Sequence, residues 1–545
     1  MTDKKWKILV TEKVGEAGLK LLREAPDVEL FEEPGIKRDE ILKRVAEMDG
    51  ILTRSGTRMD KEMLDAGVSL KVVGRAGVGV DNIDLPEASR RGIIVINAPT
   101  GNTLAATELT MSVMLGVMRK VPQAFASVQA GCWERSKFMG RQLSGRKLLI
   151  IGLGRIGSNI AVRARAFGMS VMAYDPYISK RRAESLNVPL AENLADAVSL
   201  ADVVTIHTPL TEETTNMIDR DLLKAFKPGA YLINCARGGL VEEEAVVEAL
   251  RDGRLAGFAT DVYPEEPMAA DHPFHAGDLQ DRVILTPHIG ANTVEAQSEV
   301  SRIAASNMLA ALRGQAYEHA VNLPFMEQTL NATQRAFVNL ARKMGVLGAK
   351  IAEAKGASVH RCHVMMRGSQ FLDEEPAAAG SLRPYSIAFL KGLLEVSHGP
   401  EVNYMLAPIL ARDRHLDVDE GVSESRTYKN LLEITLETDK GPLDLFGTIT
   451  EEGRQRLVKV SDYWVDFVPR GRLFVFQNHD RPGVIGSIGR ILGERQVNIA
   501  NFSLGRKDGS GLALGILEID DKIPAEAERE LSQHNDMVWS VQVDL

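Results

Sequence analysis

Residues Leu148 to Asp175 have the sequence LLIIGLGRIGSNIAVRARAFGMSVMAYD, and this stretch decides the fold of the chain. Leu148 to Ile151 form a short apolar run, which is typical of a buried parallel strand. Apolar residues then recur at three- and four-residue spacing, which predicts one buried helix face. Ser170 to Tyr174 predict a second strand. The stretch therefore predicts the strand–helix–strand unit of a parallel α/β sheet.

The turn between the first strand and the helix carries the pattern G-x-G-x-x-G. Gly152 permits the tight turn, Gly154 lets the backbone approach a pyrophosphate, and Gly157 lets the helix pack against the strand. Asp175 follows about 18 residues later, where its carboxylate can bind an adenosine ribose and would repel a 2′-phosphate. The unit predicts an NAD site with contacts from Gly152, Gly154, Arg155, Ile156, Gly157 and Asp175.

Composition limits the class of protein. A chain of 545 residues is too long for one core and predicts three or four domains. The net charge of -9 argues against a nucleic-acid partner. The cysteines Cys132, Cys235 and Cys362 are widely spaced, so neither a disulfide framework nor a metal site is predicted. No apolar stretch reaches the roughly 18 residues of a membrane span, and we expect a cytoplasmic protein with no membrane partner.

Two arginines follow predicted strands in the first 100 residues. Arg54 and Ser55 come after GILT, and Arg75 comes after KVVG and precedes Gly77 and Val78. Ligands of open α/β sheets bind at the carboxyl ends of the strands, so these groups predict a clamp for an anionic substrate.

A basic, aromatic loop, WERSKFMGR, covers residues 133–141. Its Arg135 could contact a substrate phosphate, from its own chain or from a neighbouring subunit. A solvated loop arginine explains the same residue equally well.

Beyond the glycine unit, four further strands each end in polar residues, within VVTIHTP, YLINCARGG, GFATDVYPEEP and VILTPHIG. A lone histidine is more often a packing residue, but four strand ends that face the same crevice favour a catalytic site. Arginine can hold a carboxylate in a bidentate fork, and histidine beside a carboxylate can carry the proton that accompanies hydride transfer. The candidates are His207, Thr208, Arg237, Asp261, Glu266 and His288.

The remainder of the chain changes character after a predicted helix at Val294 to Leu312 and a predicted return strand at Val321 to Pro324. Helices followed by alternating strands predict a separate α+β domain. The last segment predicts the strand and helix order βαββαβ of a ferredoxin-like fold. We predict a substrate domain at residues 1–100 and 290–322, an NAD domain at 101–289, an intervening domain at 323–468 and a regulatory domain at 469–545.

Residues Arg54 to Val321 resemble the D-isomer-specific 2-hydroxy acid dehydrogenase family through GRAGVGVDNID, GLGRIG, HTPLTEET, INCARGG, TDVYPEEP and TPHIG. The segment NHDRPGVIG with QVNIA resembles an ACT domain. Long members of the family that combine these parts with an intervening domain oxidise D-3-phosphoglycerate with NAD in L-serine biosynthesis, and the resemblance implies that activity and a homotetramer here.

The resemblance also implies roles for individual residues. It implies that Arg237 binds the carboxylate and keto oxygen of the substrate, that His288 is the acid/base, and that Glu266 is its partner. It implies that Asp261 meets the nicotinamide amide. The remaining implied residues are His207, Thr208, Pro209, Cys235 and Ala236 at the cofactor, and Arg54, Ser55, Arg75, Gly77, Val78 and Arg135 at the substrate.

The ACT-like loop predicts an effector site for a small amino acid, with L-serine as the candidate. Asn478, Asp480 and Asn498 can bind an ammonium or hydroxyl group, and the N–H groups at the start of the helix after DRPG can bind a carboxylate. Asn478 and His479 depart from a common serine-binding pattern, which places a histidine and then an acid there. The alternative interpretation is an ACT domain that serves assembly only.

Two other functions remain open from the sequence. One is a reductase of the same family that acts on glyoxylate or hydroxypyruvate. The other is a non-enzymatic NAD sensor or corepressor on the same fold, because fold does not fix function.

Overall fold

The computed structural model describes residues 5–325, 329–374, 381–507, 509 and 511–545. It divides the chain into two compact units, each described separately below. The first comprises Met1–Met59, Asp65–Asn82 and Ile96–His319, and the second comprises Asp60–Leu64, Ile83–Val95 and Ala320–Leu545.

A five-stranded sheet is formed near the N-terminus, in the order β2-β1-β3-β4-β5. The pairs β1–β2, β1–β3 and β3–β4 are all parallel. Its strands are β1 (Trp6–Val10), β2 (Val28–Glu32), β3 (Gly50–Thr53), β4 (Val72–Arg75) and β5 (Ile94–Ile96). The helices of this part of the chain are α1 (Glu16–Glu24), α2 (Arg38–Arg44), α3 (Lys61–Ala66) and α4 (Leu85–Arg90).

A six-stranded parallel sheet lies in the first unit, in the order β11-β10-β9-β8-β6-β7. Its strands are β6 (Lys147–Ile151), β7 (Ser170–Tyr174), β8 (Val203–Ile206), β9 (Ala230–Asn234), β10 (Leu255–Thr260) and β11 (Val283–Leu285). Its helices are α5 (Thr103–Arg119), α6 (Val121–Gln129), α7 (Arg155–Ala166), α8 (Lys180–Ser185), α9 (Leu194–Leu200), α10 (Arg220–Ala225) and α11 (Glu243–Arg251), and α12 (Val294–Leu312) follows the sheet. Leu148 to Ile151 are fully buried, as a central parallel strand requires. The strand order reverses beside β6, which creates a crevice at the carboxyl ends of β6 and β8.

The second unit begins with a six-stranded mixed sheet in the order β13-β12-β14-β15-β16-β17. Only the β12–β13 pair is parallel among its described strands. The elements are α13 (Ala332–Lys355), β12 (Val359–Gly368), α14 (Ser369–Leu372), α15 (Pro384–His398), α16 (Leu406–Asp413), β13 (Asp417–Ser423), β14 (Asn430–Thr438), β15 (Leu443–Ile449), β16 (Gln455–Val460) and β17 (Tyr463–Phe467). Asn331 and Gln334 form a capping box that starts α13, and Gly356 in the left-handed region ends it.

The C-terminal part of the second unit is a four-stranded antiparallel sheet in the order β19-β20-β18-β21. Its elements are β18 (Arg472–His479), α17 (Val484–Glu494), β19 (Ile499–Arg506), β20 (Leu512–Ile519), α18 (Ala525–Ser532) and β21 (Met537–Asp544). One face of this sheet shares a core with α13 through Leu473, Val475, Leu514, Ile516 and Val543. The predicted βαββαβ order and the predicted fold class are confirmed.

The predicted return strand at Val321 to Pro324 is wrong, because the structure assigns no strand to these residues. One backbone contact with β5 is present, since the Val321 N–H donates to the Val95 carbonyl at 2.7 Å. The Asn322 side chain binds the backbone instead: its Oδ1 accepts from the Val95 N–H at 2.9 Å, and its Nδ2 donates to the Ile93 carbonyl at 2.9 Å. Pro324 has no N–H to offer to a strand partner. The four predicted domain boundaries stay a prediction.

No helix in the described residues is both long enough and apolar enough to cross a membrane.

Candidate active site

The glycine turn after β6 has the geometry that a dinucleotide pyrophosphate needs. Gly152 has a φ of +92°, and a Cβ there would collide with the His207 carbonyl. A Cβ on Gly157 would collide with the Gly152 carbonyl, so α7 packs tightly on the turn. Gly154 faces open space, and no side chain of the described residues caps the N-terminus of α7. The N–H groups of the first helical turn can therefore bind an anion.

Asp175 lies at the end of β7 and is fixed by three backbone donors. Its Oδ2 accepts from the Leu153 N–H at 2.9 Å. Its Oδ1 accepts from the N–H groups of Tyr177 and Ile178 at 3.0 and 3.1 Å. These bonds hold a half-buried carboxylate beside the glycine turn. A fixed negative charge there disfavours a second phosphate on the ribose.

His207 lies at the carboxyl end of β8 against the glycine turn. Its Nε2 is 2.8 Å from the Thr205 hydroxyl, and its Nδ1 is buried without a hydrogen-bond partner in the described part of the chain. Burial lowers the pKa of His207 to about 3, so the ring is neutral at physiological pH. A buried orphan nitrogen beside a glycine turn fits a bound cofactor that supplies the missing partner.

Thr208 and Pro209 continue the same loop. The Thr208 methyl lies close to Gly152, and the Thr214 hydroxyl donates to the Pro209 carbonyl at 2.8 Å. This bond fixes the loop beside Gly152. Together with the orphan nitrogen of His207 and the open space at Gly154, the loop fits a dinucleotide.

Asn234, at the end of β9, shapes the loop that carries Cys235, Ala236 and Arg237. Its side chain is buried, its Nδ2 donates to the Arg237 carbonyl at 2.8 Å, and its Oδ1 accepts from the Ala236 N–H at 3.1 Å. Burial, assisted by the charge of Asp261, raises the pKa of Cys235 to about 12, so this thiol stays protonated.

The Arg237 guanidinium is held by two acceptors. Its Nε donates to Asp81 Oδ2 at 3.3 Å, and its Nη1 donates to the Ala236 carbonyl at 2.7 Å. Its Nη2 lies against Gly79, where a Cβ would collide with it. The remaining N–H donors of the Arg237 guanidinium therefore face the glycine loop that follows β4.

Arg75 lies at the end of β4 with its guanidinium over Gly77, where a Cβ would collide with Nη1. Its Nε is buried without a hydrogen-bond partner in the residues the structure describes. Burial, and then the like charge of Arg237, lower the pKa of Arg75 to about 10. Arg75 is still a cation at neutral pH, and its unmet donor favours an anionic ligand.

The glycine loop after β4, whose backbone N–H groups we expect from the sequence to bind the substrate, has one of these donors already engaged. The Gly77 N–H donates to the Arg75 carbonyl at 2.8 Å, so this donor is already used within the turn. The Gly77 and Val78 carbonyls accept from the Ala98 N–H at 2.8 Å and from Asn97 Nδ2 at 2.6 Å. Backbone donors for a ligand must therefore come from beyond Gly77.

Glu12, which the sequence analysis missed, organises the loop that carries Arg54 and the exposed Ser55. Its Oε1 accepts from the Thr53 hydroxyl and from the N–H groups of Arg54 and Thr57, and its Oε2 accepts from the Gly56 N–H. Burial opposes ionisation, but these hydrogen bonds outweigh it and hold the pKa of Glu12 below its ordinary value. The loop conformation therefore depends on an ionised Glu12.

Arg135 lies in an exposed segment, Arg135–Phe138. Within the described ranges its side chain forms no hydrogen bond or ion pair with the residues above. The charges of Arg54 and Arg237 both act on Arg75, so the structure brings these three arginines together. Arg135 of the same chain is not among the charged groups that act on Arg75.

His288 and Glu266 form the predicted pair. His288 Nδ1 is 2.7 Å from Glu266 Oε2, and Glu266 Oε1 accepts from the Tyr263 N–H at 3.1 Å. Both side chains remain partly exposed, at 46% and 37%. Because Nδ1 is engaged by the carboxylate, Nε2 is the ring atom that can exchange a proton with a ligand.

Asp261, at the end of β10, supports the loop that carries His288. Its Oδ1 accepts from the Thr286 hydroxyl at 2.7 Å and from the Ile289 N–H at 2.8 Å, and its Oδ2 accepts from the Gly290 N–H at 2.7 Å. The side chain is 1% exposed. A carboxylate has about four acceptor positions, so one position is left for a contact such as the predicted nicotinamide amide.

Comparison with known proteins agrees with this geometry. Residues 111–290 match the D-isomer specific 2-hydroxyacid dehydrogenase NAD binding domain, residues 334–461 match the D-3-phosphoglycerate dehydrogenase intervening domain, and residues 472–536 match the ACT domain. D-3-phosphoglycerate dehydrogenase of Methanocaldococcus jannaschii is 37% identical over 527 residues, which cover 97% of each chain. The enzyme of that name from Bacillus subtilis is 35% identical and covers 99% of this chain and 100% of its own.

The chain belongs to the D-3-phosphoglycerate dehydrogenase family. Among solved structures, it is similar to the NAD+-bound 3-phosphoglycerate dehydrogenase of Entamoeba histolytica, with 27% identity, a TM-score of 0.50, and coverage of 58% of this chain and 98% of that one. The chain is an NAD-dependent D-2-hydroxy acid dehydrogenase. The predicted family, enzyme class and cofactor are confirmed, whereas the roles of individual residues remain predictions.

The three candidate effector residues of this family member lie at two ends of its ACT sheet. Asn478 is buried near the end of β18, with its Oδ1 unpartnered in the described residues, and the nearby Asp480 pairs with Arg506 at 3.1 Å. Asn498 precedes β19, and its Nδ2 donates to Asp520 at 2.7 Å. Strands β18 and β19 both pair with β20, and their registers place Asn478 level with Arg506. Asn498 lies at the opposite end of β19 from Arg506, so it is roughly 20 Å or more from Asn478. One chain does not bring these three residues together.

Proposed function

We propose that the chain oxidises D-3-phosphoglycerate to 3-phosphohydroxypyruvate with NAD, the first step of L-serine biosynthesis. The observation that carries the proposal is the half-buried Arg75, whose buried Nε has no partner among the described residues, beside Arg237 and close to Arg54. Three neighbouring cations suit a substrate that has a carboxylate at one end and a phosphate at the other. The near-full-length relatives that bear this enzyme's name support the same substrate.

Each residue at the site has its own role in the reaction. Arg237 holds the carboxylate and the C2 oxygen of the substrate, while Arg75 and Arg54 hold the phosphate end. His288 Nε2 accepts the proton of the C2 hydroxyl, and Glu266 stabilises the imidazolium that results. NAD, when bound, supplies the acceptor for the C2 hydrogen and its electron pair. Asp175, with the glycine turn, orients the cofactor's adenosine end.

A reductase of the same family that acts on glyoxylate or hydroxypyruvate is the first alternative. Such a substrate has no phosphate, so it gives no reason for a second and third cation at the site. A non-enzymatic NAD sensor is the other alternative. It gives no reason for an acid/base pair at 2.7 Å whose free ring nitrogen can exchange a proton.

The test is the rate of NADH formation, followed by absorbance, with NAD and a panel of D-3-phosphoglycerate, D-glycerate and glycolate. We expect kcat/KM to be highest for D-3-phosphoglycerate by at least about tenfold, because only that substrate uses the additional cations. A higher kcat/KM for glycolate or D-glycerate would favour the reductase alternative. No turnover of any substrate, with NAD still bound, would favour the sensor.

For regulation, we propose that L-serine binds the ACT domain between two copies of the chain and slows the enzyme. A single ligand can contact Asn478, Asp480 and Asn498 only if Asn498 comes from a second chain, since one chain separates them. ACT domains often pair edge to edge, and such pairing supplies the second chain. Arg135 is proposed to reach the substrate phosphate from a neighbouring subunit in the same assembly.

We further propose a homotetramer that works in the cytoplasm, with the four domain boundaries given under Sequence analysis. The three cysteines are free thiols, which suits a reducing compartment.

A further inference from the structure

Asp81 is the one described acid that pairs with Arg237, and the proposed mechanism assigns it no role. It follows β4 by six residues, in the loop that carries Gly77, Val78 and Gly79. Its side chain is 65% exposed, and its Oδ2 accepts from Arg237 Nε at 3.3 Å. An exposed pair of this kind contributes little to stability, so its position at the site calls for another explanation.

We propose that Asp81 is a positioning residue that orients Arg237 for the substrate, an inference that rests on the proposed dehydrogenase function. A guanidinium has five N–H donors in one plane, and two acceptors fix that plane. Asp81 holds Nε, and the Ala236 carbonyl holds Nη1. Nη2 is thereby directed at Gly79.

Electrostatics favour the same role. Arg75 and Arg237 carry like charges close enough that Arg237 lowers the pKa of Arg75, whereas Asp81 acts in the opposite direction. The negative charge of Asp81 offsets part of the repulsion between the two guanidinium groups. Without Asp81 this repulsion would be stronger, and Arg237 would turn toward solvent. A misplacement of about 1 Å in a substrate-holding group can cost as much as 10²-fold in rate.

Gly79 provides a second way to test the same geometry. A Cβ at Gly79 would lie inside contact distance of both Arg237 Nη2 and Asp81 Oδ2, and both are the ends of flexible side chains. Gly79→Ala should therefore displace the guanidinium while the charge of Asp81 is kept. The two variants alter the pair by independent means, one by charge and one by volume.

The experiment measures kcat and KM of the full chain for whichever D-2-hydroxy acid the wild type oxidises best. If the wild type does not oxidise D-3-phosphoglycerate, the proposed function fails and the Asp81 test still proceeds with the best substrate. We expect Asp81→Asn and Gly79→Ala to lower kcat/KM by roughly 10- to 10²-fold, with kcat falling as well as KM rising. Asp81→Glu should restore most of the loss because it keeps the carboxylate.

Two controls separate positioning from a structural effect. Asp278→Asn removes a comparable exposed arginine–aspartate pair, Arg251–Asp278 at 2.9 Å, and should leave kcat and KM unchanged. In an Arg237→Ala background, Asp81→Asn should cause little further loss, because its effect passes through Arg237. An unchanged kcat/KM in Asp81→Asn, a lower KM at unchanged kcat, or an equal loss in the Arg237→Ala background would each overturn the proposal.

Discussion

Replacement of Glu266 by glutamine should lower kcat/KM for oxidation. The substitution keeps the size of the side chain and removes its charge from the 2.7 Å contact with His288 Nδ1. In the oxidation direction His288 accepts a proton, so its ring gains a positive charge in the transition state. The Glu266 carboxylate stabilises that charge, and a neutral amide does not.

The size of the loss follows from the partial exposure of the pair. At 46% and 37% exposure a water-like dielectric is appropriate, and two unit charges a few ångströms apart then interact by about 1 kcal/mol. Since about 1.36 kcal/mol corresponds to a tenfold change in rate, the expected loss in kcat/KM is about fivefold.

The assay is initial rates of NADH formation at low substrate concentration, for the wild type, Glu266→Gln and Glu265→Gln. Glu265 is exposed and adjacent, so its variant is a matched control that should leave kcat/KM unchanged. An equal kcat/KM in Glu266→Gln and the wild type would remove Glu266 from the proton-transfer step.

Four further predictions concern the remaining groups. Asp175→Ala should reduce the preference for NAD over NADP, measured as the ratio of kcat/KM for the two cofactors, because the fixed carboxylate that repels a 2′-phosphate is gone; equal use of both cofactors by the wild type would contradict this. His288→Ala should lower kcat by a factor on the order of 10² to 10⁴ and leave the Kd for NAD, from fluorescence titration, nearly unchanged. Arg54→Ala and Arg75→Ala should reduce kcat/KM more for D-3-phosphoglycerate than for D-glycerate, and equal losses would mean that these side chains are structural. Isothermal titration with L-serine should give heat for the wild type and less for Asn498→Ala, whereas no heat and no inhibition at millimolar serine would exclude the effector.

The sequence predicted the cofactor half of the site because its signals are local. The roles of Gly152, Gly154 and Gly157 follow from their spacing between a strand and a helix, and the structure shows the positive φ, the open space and the close packing that the spacing indicates. Asp175 was found by its distance along the chain from the same turn. Such features depend on neighbours within one strand–helix–strand unit.

The supporting groups were missed because their partners are distant in the sequence. Glu12 binds a loop 41 to 45 residues away, and Asp81 pairs with Arg237 across 156 residues. No spacing rule connects such positions. Glu12 nevertheless lies two residues after the end of β1, so the strand-end rule that found Arg54 would also have found Glu12. Asp81 lies within the quoted GRAGVGVDNID motif, but its partner could not be known without the fold.

The effector residues show where such reasoning ends. Asn478, Asp480 and Asn498 were grouped because their side chains can bind an ammonium or hydroxyl group. The register of β18, β20 and β19 places Asn498 at the other end of that sheet. Sequence patterns identify strands, but the distance between two strand ends depends on which ends are adjacent in the sheet.

Transfer of the C2 hydrogen tests the central claim most directly. The full chain is incubated with NAD and D-3-phosphoglycerate that carries deuterium at C2, and the reduced cofactor is analysed by mass spectrometry. The account predicts reduced cofactor that is one mass unit heavier than ordinary NADH, and almost none of it in the His288→Ala variant. Reduced cofactor without deuterium, or no reduction of NAD at all, would contradict it.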